Sequence, residues 1–198
     1  MKNQFAYLVP SESRMRTLIG TKIKDIVMCS FETYEEHKEY LNECDIDGFD
    51  DRESFFKYAF GALLIVFEEV ELSFASAEDL NSLIVRYQKT SNNQIYENYI
   101  LEDPDVLEKI SIHDIGGHSE LINQEIVGIE ILTRNDLNSR KQDLPSEVGI
   151  HFYLKNDKRF TLSHNLSENN FVFSILFEND KLPDNLIVKE KYPKTELL

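Results

Sequence analysis

The chain has no tryptophan, two cysteines, five prolines and seven glycines in 198 residues, and each scarcity removes a class of function. Tryptophan is the ring most used for stacking on sugars, so a carbohydrate site would lack its usual platform. Acid pairs for glycoside hydrolysis carry no signal either, because 36 acidic residues supply pairs throughout the chain. Cys29 and Cys44 have no Cys or His at zinc spacing, so neither a disulfide scaffold nor a structural zinc site is expected, and both thiols read as reduced and partly buried. With few glycines come few backbone-amide nests for phosphate. There is no G-x-G-x-x-G and no Walker loop, so no nucleotide cofactor is expected. No G-x-S-x-G elbow presents a nucleophile. The longest apolar run, residues 62–67, stops at Glu68, far short of a membrane span. Residues 1–10 hold one lysine and a short apolar patch without a cleavage pattern, which leads to an expected cytoplasmic location.

Positive charge is the other thing in short supply. Asp and Glu outnumber Lys and Arg by 36 to 21, for a net charge of −15. The excess is concentrated: residues 31–80 hold fifteen acidic and three basic groups, whereas residues 1–30 hold two acidic and five basic. Such a field repels nucleic acid and anionic lipid and attracts basic proteins over a distance. Neither nucleic acid nor membrane is therefore an expected partner.

What is present is a core-forming, strand-rich pattern with 22 Phe and Tyr residues. Residues 23–29, behind Gly20, read as a strand. Residues 13–18 suit one short helical turn. Thr33 with Glu36 three residues on is a capping box and predicts a helix over residues 34–42. After an acidic loop, residues 53–60 supply four aromatics on either a helix or a strand. The run 61–67, the polar pair Glu68-Glu69 and the alternation of 70–74 predict a hairpin with one strand buried on both faces. Residues 83–87 add a strand. Asp103-Pro104 reads as a helix start, with the helix ending near Ser111.

The second half echoes the first. Ile126 and Ile129 repeat the spacing of Ile23 and Ile26, and residues 149–154, Asn156-Asp157 and residues 159–162 align without a gap on the earlier hairpin, Gly149 on Gly61. The expected fold is α+β, a mostly antiparallel sheet of two similar strand-plus-hairpin units with a few short helices. The whole of 1–198 is expected to form a single domain, internally duplicated over about 18–90 and 121–178. The first unit carries residues 31–60 as an acidic insertion. Residues 171–177 suit a last strand, and residues 182–198 read as a loosely held tail.

Two sequences invite a metal reading and neither sustains it. Residues 43–48 resemble the opening of an EF-hand loop, but the first ligand is Glu43 and the twelfth place holds Ser54, so calcium is not expected. His113 and His118 flank a Gly-Gly turn at a spacing that fits no zinc pattern.

The acidic insertion is the feature left to explain. Its carboxylates Glu35, Glu36, Glu39, Asp45, Asp47, Asp50 and Asp51 suit the Lys and Arg donors of a basic partner, with Tyr34, Tyr40 and Phe49 as apolar anchors. In size, acidity, missing catalytic motifs and elaborated hairpin sheet, the chain resembles the immunity proteins of bacterial toxin systems, including those paired with contact-dependent inhibition toxins. The resemblance is one of type and transfers no residue roles. It implies a non-enzymatic toxin inhibitor that binds a cognate basic toxin domain, such as a nuclease, and blocks its active site. The alternative is a small-ligand-binding protein or enzyme with a pocket between the two hairpin units, lined by His151, Tyr153 and His164. A third reading is an oligomer-forming structural domain.

Overall fold

In the computed structural model, residues 12–43, 51–58, 61–77, 82–89, 105–134, 147–164, 173–178, 180, 182 and 186–193 are described. They form two antiparallel five-stranded sheets with three short α-helices and two 3-10 turns. Helix α1 (Glu12–Arg16) leads into β1 (Asp25–Ser30), followed by α2 (Tyr34–Glu43) and α3 (Arg52–Tyr58). Next come β2 (Gly61–Val66), β3 (Val70–Ala77), β4 (Ser82–Lys89) and β5 (Glu108–Ser111), which complete a sheet of order β4-β3-β2-β1-β5. Strands β6 (Ile126–Arg134), β7 (Glu147–Leu154), β8 (Arg159–His164), β9 (Phe173–Phe177) and β10 (Leu186–Pro193) build the second, of order β10-β6-β7-β8-β9.

The two sheets share one topology: a four-stranded meander whose fifth strand returns to pair beside the first. Their inward positions correspond as well. Ile23, Ile26 and Met28 match Ile126, Ile129 and Ile131 in the apolar cluster. Each lead-in turns through a left-handed residue, Gly20 at φ 90° and Asn123 at φ 62°, and the two lead-ins pair with each other at Lys22 and Glu125.

The hairpins match only after one correction. Leu63 pairs with Phe74 and Ile150 with Leu162, so Ile150 corresponds to Leu63 and the gapless alignment of Gly149 on Gly61 is out by one residue. The extra residue lies in the turn. Phe67 N–H donates to Val70 C=O across the two-residue turn Glu68-Glu69, whereas Leu154 N–H reaches Lys158 C=O across three residues. The longer loop needs a left-handed residue, which Asp157 supplies at φ 64°.

Pairing explains the strands. β2 is central and buried on both faces, as its unbroken apolar run requires. Gly61 is obligatory there, because a Cβ would sit 2.1 Å from the Cys29 carbonyl oxygen. In β3, Val70, Leu72 and Phe74 are buried while Glu71 and Ser73 are partly exposed. Two expectations fail. Residues 108–111 form β5 rather than the end of a helix, because Ile110 pairs with Met28 and its side chain enters the core; the Asp103-Pro104 cap lies outside the described residues. Residues 186–193 form β10 rather than a loose tail, held by pairing to β6 and by Tyr192, which is buried among the core side chains.

The inner faces of both sheets feed one apolar cluster, in which Phe74 meets Phe152 edge-on at 6.2 Å. Helices cover strand edges. Met15 of α1 is fully buried, with Arg14 over the Tyr87 ring of β4 and Arg16 over Tyr192 of β10. Phe55 and Phe56 of α3 enter the same cluster, so the acidic insertion is rooted in the core.

Candidate functional site

The insertion between β1 and β2 starts at the anticipated capping box. Thr33 Oγ1 accepts from Glu36 N–H at 3.2 Å, and Glu36 Oε2 accepts from Thr33 N–H at 2.8 Å. The Thr33 hydroxyl also donates to Glu36 Oε2 at 2.9 Å, and the two bonds from Thr33 hold the Glu36 carboxyl below its usual value, the backbone bond contributing most. His37 and Leu41 form the buried side of α2. The His37 ring meets Phe55 of α3 at 5.1 Å and pairs through Nδ1 with Glu32, while its Nε2 is buried without a partner.

With that side occupied, helical spacing turns Glu35, Glu36, Glu39, Tyr40 and Glu43 to solvent. Tyr40 is 55% exposed. The platform is fixed at both ends. Glu108 at the start of β5 accepts from Tyr34 N–H at 2.7 Å and from Arg52 at 2.9 Å, tying the starts of α2 and α3 to the first sheet. At the second sheet, Lys57 of α3 pairs with Asp180 at 2.7 Å. His118 meets Glu53 at 3.1 Å and stacks on Phe177 of β9 at 3.6 Å.

The structure sorts the anticipated contact residues by what they already do. Glu35, Glu39 and Tyr40 share one exposed face. Glu36 is exposed but serves as a cap, and Asp51 caps α3 through Ser54 N–H at 2.7 Å. Tyr34 packs on Phe55 at 5.5 Å, with Arg52 and Lys38 over its ring, so it is covered already. Asp45, Asp47, Phe49 and Asp50 lie outside the described residues, as does Cys44. Glu43 joins the face by its place in the helix. Glu108, His118 and Asp180 hold the platform from far along the chain, and no local pattern marks them.

The second set of anticipated residues divides. His151 and Tyr153 alternate onto the outer face of the second sheet, while His164 follows Phe160 and Leu162 onto the inner one. They do not line one pocket. Comparisons with protein families, curated proteins and solved structures find no match to this chain.

Proposed function

We propose that this chain is a non-enzymatic acidic protein that binds and neutralises a basic partner through the outer face of α2, in the manner of an immunity protein that plugs a toxin's cationic cleft from within the cytoplasm. The observation that carries the reading is a charge arrangement that works against its own helix. Glu35, Glu39 and Glu43 follow one another at four-residue intervals, a like-charge series that destabilises an α-helix by about 0.2–0.5 kcal/mol per pair. Glu43 also lies in the last turn, where the helix dipole disfavours a carboxylate and where no basic residue is present. Solubility alone would not call for that placement.

The exposed Tyr40 supports the reading as an apolar anchor among the carboxylates, since interface energy concentrates in such rings while charge sets encounter rate and orientation. Anchoring at Glu108 and Lys57 supports it too, because a pre-ordered platform loses less entropy on binding. A phosphate-binding nuclease cleft is the kind of cationic surface such a face fits.

Affinity capture of the tagged protein from its native lysate, at low and high salt, tests the proposal. The expected result is one stoichiometric basic protein, held more weakly at high salt. Replacing Glu35, Glu39 and Glu43 by Lys is expected to slow its association by roughly tenfold or more, because opposed charge steers encounter. Glu36 and Asp51 stay unchanged so that both helix caps survive. Association unaffected by the triple reversal would remove α2 from the interface.

A further inference from the structure

The outer face of the second sheet holds a polar corner that the acidic helix does not use. Register places Lys191 of β10 beside Glu130 of β6, Glu130 beside His151 of β7, and His151 beside Thr161 of β8. One row along, Tyr153 stands opposite Arg159 and across from Gly128. Glu130 is only 7% exposed and His151 only 6%.

Within this frame Glu130 accepts from the Tyr153 hydroxyl at 2.6 Å and from Lys191 at 2.7 Å. Arg159, opposite Tyr153, acts on the same hydroxyl in the lowering sense, more weakly than burial and Glu130 act to raise it. The His151 ring lies edge-on to Tyr153 and shares a 2.6 Å bond with Thr161. Burial raises the Glu130 carboxyl, but Lys191 and Tyr153 outweigh it and keep the group ionised below its usual value. Burial and Glu130 together push the Tyr153 hydroxyl up to about 12, so it stays a donor.

Donors exceed acceptors here. A guanidinium carries five N–H groups and an ammonium three, and one carboxylate engages few of them. Lys191 is largely exposed and Arg159 partly so, which leaves their remaining donors open to solvent. Two cations and a donor hydroxyl stand around one internal carboxylate, so an anion that takes their open donors competes with Glu130. We propose that this corner binds a small oxyanion, the phosphate or carboxylate group of a small molecule, between Arg159 and Lys191 and in competition with Glu130.

The test is an NMR titration of the full chain with inorganic phosphate and, separately, acetate at constant ionic strength, following the Arg159 Nε–H and His151 ring signals. Saturable shifts are expected, and the stronger of the two anions identifies the preferred group. In a Glu130→Gln variant, loss of the competing charge should tighten binding by about tenfold. Arg159→Gln and Lys191→Gln should each weaken it while leaving the amide spectrum folded. A purely structural network would give the opposite result: shifts that never saturate, or that survive Arg159→Gln, or no tightening in Glu130→Gln. Any of these overturns the site.

Discussion

Two side chains test whether burial governs chemistry in this molecule. His151, enclosed on the outer face of the second sheet, has its imidazole pushed down from 6.5 to about 4, by burial first and by Arg159 second. Above pH 6.5 the folded and unfolded chains both hold it neutral. Between 6.5 and 4 the unfolded chain takes up a proton that the folded chain refuses, so stability falls as pH falls through that window. Removing the group by His151→Gln isolates its share from that of the carboxylates. The stability difference between the two proteins should change by about 2 kcal/mol from pH 7 to pH 4.5, read by urea denaturation, with the wild type losing more. A constant difference would mean that the ring is solvated. Cys29 is the second case: burial pushes its thiol up to about 11, against a small opposing effect of Lys109. The thiolate attacks alkylating agents, so Cys29 should resist iodoacetamide at pH 8 in the native protein and react in denaturant, as peptide mapping would show. Rapid native labelling would refute the burial.

At the scale of elements, α2 is a helix of poor intrinsic prospects held by its ends. Its like-charge series opposes it, and ten residues are too few for an isolated helix in water. Thr33→Ala removes one half of the capping box and should lower stability by about 1 kcal/mol, with faster amide exchange confined to the first turns of α2. Exchange spread evenly over the molecule would instead show that the cap is idle. The same element shows what is legible in a sequence. The capping box, both hairpins and the buried run of β2 depend on neighbours within a few residues, and all could be read from the chain. β5 and β10 could not. Each is a returning strand whose partner lies far away, β1 for one and β6 for the other, and the pairing overrides the local signal of a Pro-led helix or a charged tail. The one-residue slip in the repeat has a like cause, because register follows the turn length rather than the side chains that happen to align. At the candidate face, the spacing of Glu35, Glu39 and Tyr40 was readable, whereas the long-range anchors Glu108, His118 and Asp180 were not.

For the whole molecule, the question is whether two sheets of one topology behave as two bodies. Each could in principle close on itself, but the apolar cluster is shared: Phe74 of the first sheet and Phe152 of the second touch at its centre, and Phe152 stacks on Phe160 at 5.0 Å. Helices tie the sheets further, α1 through Tyr87 and Tyr192, and the α2–α3 insertion through Glu108 on one side and Asp180 on the other. Neither sheet can lose its inner face without exposing that of its partner, so unfolding should be a single transition. Phe74→Ala and Phe152→Ala should each cost about 3–5 kcal/mol, the usual penalty for a cavity left by a buried ring. Both variants should shift one common midpoint, with amides of β2 and of β7 reporting the same loss. Were Phe74→Ala to release only the amides of the first sheet, the two units would be separately stable, and the insertion would act as a tether between them instead of a part of one core.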